Sequence, residues 1–284
     1  MSSPEATFPN HPSKHQGTPL IRPEVVVRNL LDDPDVIIPD GVIIGYSTRL
    51  HGLLVARGFK NVDGYSAPWR SMWLREGDAA TRVGVVEGFG IGAPGAAIVI
   101  EELATLGVRR FINVGLAGAL PAEVGFGDVV LCAGAIRDEG VSHHYLPSAR
   151  YAYPSVDLTN ELRRALVVGN VPFSEGLTWT LDAVYRETVE EARAFRDEGV
   201  VTVEMEAAAL FAIAQVRGVE VAAIFTVSDH LLAASEWRPA HDKGALTKGL
   251  ALILDVSLKV LSPDDHFATQ PLSESDVGSQ SPFA

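Results

Sequence analysis

What most constrains this chain is an alternation: short runs of consecutive apolar residues are separated by longer stretches with helical spacing. The runs Val42–Tyr46, Val83–Glu87, Phe111–Leu116, Val129–Ile136, Leu177–Thr180 and Val221–Val227 are mostly apolar at neighbouring positions rather than at every second one. Strands covered on both faces have that pattern. Between them, Pro94–Leu106, Leu158–Val168, Thr188–Glu198, Glu204–Val216 and Lys243–Leu261 read as helices. Pro94 suits a first helical turn, where its missing N–H would have had no partner, and Gly107 and Gly218 stand where a helix ends in a left-handed residue. The pattern predicts a single-domain α/β/α sandwich whose mixed central sheet curls on itself.

Residues 23–261 carry the pattern and are expected to form the one domain. Residues 1–22, rich in Pro, Ser, His and Asn, read as a mobile arm, and 262–284 as a disordered acidic tail. The 284 residues are 47% hydrophobic and 21% charged, enough to bury a sizeable core. A net charge of −13 argues against bare nucleic acid as a partner, because phosphate backbones need a basic face. It leaves room for a small anion in a locally cationic pocket. Cys132, the single cysteine, excludes an internal disulfide, and its apolar run DVVLCAGAI makes it a core thiol. The opening MSSPEATFPNHPSKHQGTP lacks the apolar stretch of a secretory signal, and no apolar run reaches the ~20 residues that span a bilayer. The expectation is a cytoplasmic protein with no membrane partner.

Three segments carry chemistry. Gly88-Phe89-Gly90-Ile91-Gly92-Ala93-Pro94-Gly95 follows a strand and opens a helix. Glycines let backbone approach an anion, and a helix N-terminus presents free N–H groups; the plainer reading is a tight strand–helix turn. Val203-Glu204-Met205-Glu206-Ala207 places two carboxylates at i and i+2 of an expected helix start, on different sides. One of them can accept both hydroxyls of a ribose diol, or both can simply complement the helix dipole. Phe225-Thr226-Val227-Ser228-Asp229-His230 ends an apolar strand in polar residues, at the kind of strand terminus where α/β folds bind ligands. There Asp229 is either an acid for a leaving base or a loop cap.

Together these segments resemble the nucleoside phosphorylase-I family of purine nucleoside phosphorylases, uridine phosphorylases and related nucleosidases, over roughly residues 40 to 260. VEMEAAALFAIA followed by FTVSDH is similar to the purine enzymes, GIGAPGAAIVIEELATLGVRRFINVG to the family's glycine loop, helix and next strand, and IRDEGVSHHYLP to the base-side segment of uridine phosphorylase-like members. The resemblance implies a phosphorylase/hydrolase-like fold. It implies that Gly45 and Arg49 of GYSTR grip phosphate, with Gly90 and Gly92 beside them. Met205 would lie under the sugar, Glu206 would hold its hydroxyls with Glu204 nearby, and Ser228 and Asp229 would meet the purine, Asp229 protonating it. His11 or His15 is a candidate for the histidine that family members send across a subunit contact. Family members are homo-oligomers, dimers or trimers of dimers.

Two positions depart from the pattern. Asn113 stands where the phosphorylases carry arginine, and Leu116 where they carry serine or threonine. Losing one guanidinium removes a charge-assisted partner worth about 1.5–3 kcal/mol. Asn at that position resembles the family's hydrolases, yet Arg49 resembles its phosphorylases; Arg70 is a candidate replacement cation. The reading is cleavage of a nucleoside's N-glycosidic bond, with a purine base favoured over a pyrimidine, by inorganic phosphate, giving free base and pentose 1-phosphate, with Asp229 and Glu206 as catalytic groups. Hydrolysis by water is the alternative, and a catalytically impaired nucleoside-binding protein is a third. Neither a metal nor an organic cofactor is called for.

Overall fold

The computed structural model describes residues 8–28, 37–62, 71–75, 82–233, 236–240 and 242–262. Its strands are β1 (Gly41–Gly45), β2 (Lys60–Asn61), β3 (Ser71–Leu74), β4 (Val83–Glu87), β5 (Arg110–Ala119), β6 (Val129–Asp138), β7 (Tyr151–Ala152), β8 (Phe173–Leu181), β9 (Val200–Glu204), β10 (Glu220–Ala233) and β11 (Glu236–Pro239). Its helices are α1 (Pro23–Arg28), α2 (Arg49–Ala56), α3 (Ala93–Thr105), α4 (Ser142–Tyr145), α5 (Val156–Val168), α6 (Val189–Asp197), α7 (Ala207–Arg217) and α8 (Lys243–Leu261).

All strands join one mixed sheet, and its curl is a closure. β10 pairs in parallel with β5 and antiparallel with β6, while β6, β8, β9 and β5 pair in turn. Five strands therefore form a ring, from which β1, β4, β3 and β2 continue as an open wing. The expected sandwich is present: α3 and α7 pack Ile100, Leu103, Leu210 and Phe211 on one face of the sheet, while α2, α5 and α8 pack Leu54, Leu162 and Leu254 on the other. β1 and β4 are buried at every position, which explains their unbroken apolar runs.

Local chemistry starts and stops these helices. Asp242 accepts from the amides of Gly244 and Ala245 to cap α8, and Thr188 caps α6 by accepting the Glu191 amide while its hydroxyl donates to the Glu191 carboxylate. Gly218 ends α7 in the left-handed region at φ 65°, as expected from its place in the sequence. One expectation is corrected. The segment read as a helix from Glu204 begins as strand β9, and α7 starts only at Ala207. Val200–Glu204 continues without a break into an alanine-rich helix, so the change of period leaves no punctuation to read. Cys132 is buried in β6, and burial pushes its thiol pKa upward. Among the described residues no helix is long and apolar enough to cross a membrane.

Candidate active site

Two loops face each other at the carboxyl ends of adjacent parallel strands. From β1 the chain passes through Gly45 to Tyr46, Ser47 and Thr48, and Arg49 begins α2. A Cβ on Gly45 would lie 2.1 Å from Leu50 Cδ1, so the packing of α2 itself requires glycine there. From β4 the chain passes through Gly88, Gly90 and Gly92, with φ of 79°, 90° and 97°. Positive φ at every second residue is a backbone that only glycine adopts without strain. Between the loops lies a cavity of about 610 Å³, lined by Tyr46, Ser47, Thr48 and His51 on one side and Glu87, Gly88, Gly90 and Ile91 on the other. Arg49 is half-buried at the start of α2 and is not among the groups that line this cavity. The ionisable groups that do are Tyr46, His51 and Glu87. His51 Nδ1 is 3.2 Å from Glu87 Oε1, and the Trp73 indole N–H donates to the same oxygen at 3.0 Å. Burial raises the Glu87 pKa against the lowering pull of these two neighbours.

The two carboxylates expected together divide their work. Glu204, the last residue of β9, reaches forward: Thr180 Oγ1 donates to its Oε1 at 2.5 Å, and the amides of Glu206 and Ala207 donate to its Oε2 at 2.8 Å each. It thereby satisfies the first free N–H groups of α7. Glu206 instead accepts the Gly92 amide on Oε1 at 2.5 Å, tying the helix start to the glycine loop. Met205 joins them, its Cε 4.0 Å from where a Cβ on Gly92 would stand. Both carboxyl pKa values are raised by burial, and that of Glu206 further by the charge of Glu204. Tyr46 completes the group. Its ring packs edge-on against Phe89, its buried hydroxyl has no hydrogen-bond partner among the described residues, and burial with the Glu206 and Glu204 charges raises its pKa.

The third constellation lies along β5 and β10. Ser228 Oγ donates to Asp229 Oδ1 at 2.6 Å, and the Trp237 indole N–H donates to Asp229 Oδ2 at 2.9 Å across the β10–β11 pair. Asp229 sits at a bulge opposite Gly118 of β5. A Cβ on Gly118 would approach Asp229 Oδ2 and Val203 Cγ1 to 3.0 Å each, so this glycine lets β10 and β9 close on the same spot. Val203 is two residues before Met205, which links the Asp229 end of the site to the Glu206 end. Glu187, at the end of the turn Val184–Arg186, is half-buried; burial and the charge of Asp229 push its pKa up to about 7.

The structure thus gathers Glu204, Met205, Glu206, Gly90 and Gly92 at one end, with Gly45 across the cavity, and Ser228 with Asp229 at the other. Asn113 is fully buried in β5 between Ile44 and Ala223, and both of its side-chain polar atoms lack partners among the described residues. Leu116 is half-buried. Arg70 lies outside the described residues, as does the segment 263–284 of the expected acidic tail. His15 Nε2 is 3.1 Å from the His143 carbonyl, Phe8 stacks on the His143 ring, and His11 Nδ1 is 2.9 Å from Ser13 Oγ. The arm's described part therefore lies on its own chain's α4. Tyr46, Glu87, Glu187 and Trp237 were not anticipated. Tyr46 adjoins the GYSTR motif, but the other three carry no local signal.

A model of the phosphorylase superfamily matches residues 39–261. A guanosine phosphorylase of Halorubrum lacusprofundi is 37% identical over 147 residues, covering 52% of this chain and 61% of that protein; the chain thus matches less than two thirds of that relative's length. A DeoD-type purine nucleoside phosphorylase of Bacillus cereus is 29% identical over 176 residues, 61% of this chain and 75% of the relative. Among solved structures, purine nucleoside phosphorylase from Toxoplasma gondii in complex with immucillin-H superposes with a TM-score of 0.70 at 22% identity, covering 80% and 91% of the two chains, which bears on the fold alone.

Proposed function

Given that the chain belongs to the phosphorylase superfamily, we propose that it cleaves the N-glycosidic bond of a purine nucleoside, with inorganic phosphate as co-substrate, to free base and pentose 1-phosphate. One observation carries the reading: buried Glu206 is bonded to the Gly92 amide of the glycine loop, beside Met205. A carboxylate so placed can accept the sugar's hydroxyls while the loop and the β1–α2 turn receive an anion. The sugar develops positive charge as the bond breaks, and a fixed carboxylate nearby stabilises that charge without reorganising. At the other end, the Ser228–Asp229–Trp237 group faces the departing base. Gly45, Arg49, Gly90 and Gly92 hold phosphate. The reading needs no metal or organic cofactor, and it includes a cytoplasmic homo-oligomer, a dimer or trimer of dimers.

Hydrolysis is the second reading, favoured by Asn113 and Leu116 and by a cavity that presents Glu87 where a phosphorylase needs cations. The experiment is base release from guanosine, inosine, adenosine and uridine, with and without phosphate. Phosphate-saturable release of a purine with pentose 1-phosphate supports the first reading. Equal rates without phosphate, with free sugar as product, sink it in favour of the hydrolase. Tight nucleoside binding with no release leaves the impaired binding protein.

A further inference from the structure

We propose that Glu87 makes the cavity between the β1–α2 turn and the glycine loop selective for an oxyanion that carries a proton, so that hydrogen phosphate enters and sulfate is turned away. The proposal rests on the reading of phosphate as co-substrate, and it concerns the one carboxylate that lines that cavity.

Glu87 is the last residue of β4, and two neighbouring elements fix its side chain. Trp73 of β3 pairs with Val85, two residues before Glu87, so the side chains leave the same face of the sheet. The Trp73 indole N–H donates to Glu87 Oε1 at 3.0 Å. An indole N–H can only donate, so Oε1 is held as an acceptor. His51, in the first turn of α2, contacts the same oxygen at 3.2 Å and meets the Trp73 ring edge-on, with centroids 4.7 Å apart. The Glu87 side chain is 9% exposed against 61% for His51. The result is a buried, oriented carboxylate in the cavity wall, with Oε2 free of hydrogen bonds to any described residue.

The other polar groups of the wall are neutral. Tyr46, Ser47 and Thr48 bring hydroxyls, and Arg49 does not line the cavity. A bare dianion placed there sets its lone pairs against those of Glu87, and like charges repel strongly in a partly buried site. Hydrogen phosphate keeps one O–H in neutral solution. That O–H donates to Glu87 while the remaining oxygens accept from the hydroxyls. Sulfate has the same charge and nearly the same shape, but no proton to give. Glu87 therefore discriminates by excluding the wrong anion rather than by gripping the right one.

The test uses the full chain near pH 8 and follows inosine cleavage against rising phosphate. Sulfate and monofluorophosphate, both without an O–H, serve as competitors. In the wild type both are expected to show Ki values at least about 100-fold above the phosphate KM. Hydrogen arsenate, which keeps its O–H, is expected to replace phosphate with a comparable KM. Glu87→Gln removes the charge and adds an N–H donor, while its carbonyl still accepts from hydrogen phosphate. The sulfate Ki is then expected to fall by about tenfold or more, and the phosphate KM by less. A wild-type sulfate Ki close to the phosphate KM overturns the proposal, whether or not the variant folds. So does a Glu87→Gln enzyme that keeps the full discrimination. In both cases phosphate-saturable cleavage still upholds the enzyme reading. Cleavage at a rate independent of phosphate sinks that reading and takes this proposal with it.

Discussion

The Gly92 amide donates to Glu206 Oε1 at 2.5 Å across 114 residues of sequence, while Glu204, two residues away, spends its oxygens on Thr180 and the α7 amides. One carboxylate serves the site and its neighbour serves the helix. Glu206→Gln is therefore expected to lower kcat/KM by about 100-fold, because a charged acceptor tuned to the transition state is lost. Its melting temperature should stay near the wild type's. Glu204→Gln should show the converse, a loss of about 1–2 kcal/mol of stability as a capping acceptor weakens, with a smaller effect on rate. Equal rate losses from the two would show that the assignment is wrong.

Trp237 should matter through one atom. Trp237→Phe keeps an aromatic side chain, smaller than the indole, and removes the N–H that holds Asp229 Oδ2. A hydrogen bond to a charged group is worth about 1.5–3 kcal/mol, so kcat on inosine is expected to fall by roughly 10- to 100-fold. Steady-state kinetics with 7-methylguanosine supplies the control. An unchanged kcat on inosine would show that Asp229 needs no such support.

At the phosphate end two substitutions should pull in opposite directions. Arg49→Ala should raise the phosphate KM by about tenfold or more, since a guanidinium matches phosphate oxygens in pairs. Glu87→Gln removes a carboxylate that lines the cavity, and should lower the same KM. Phosphate saturation curves read both. If Glu87→Gln raises the KM, the anion does not bind in this cavity.

Stability should depend on pH in an unusual direction. Glu87, Glu139, Glu187, Glu204 and Glu206 are all raised above the ordinary 4.5, each chiefly by burial. Above 4.5 the unfolded chain has released protons that the folded chain still binds, so stability falls as pH rises. The contribution is whole below 4.5 and is lost through the folded values, about 7 for Glu187. His144, lowered mainly by burial, acts in the opposite sense but is one group against five. The melting temperature of the free protein should be several degrees higher near pH 5.5 than near pH 8. A rise over that interval would contradict the assignment of these groups.

The parts of the site that are legible in sequence are those held by consecutive residues. GYSTR, the glycine loop, VEMEA and VSDH each announce themselves because backbone conformation and side-chain chemistry coincide within a few positions. The residues missed depend on pairings between distant segments. Trp237 reaches Asp229 only because β11 folds back on β10. The fold was readable for a related reason: strands buried on both faces have few polar positions to confuse the pattern. The closure of β10 onto both β5 and β6 was expected only as a curl. Ring closure is a matter of twist and register, which composition does not encode.

The ring has a further consequence. Asn113 and Gly118 lie on the same strand, five residues apart, so β5 spans about 17 Å between them. Its outer part is hydrogen-bonded to β9 and β10, and its inner part to β1 and β10. A strand clamped on both sides cannot stretch or slip without breaking two ladders at once. It fixes the separation of Asn113 and Gly118, and with it that of Ile44 and Asp229, the residues paired with them.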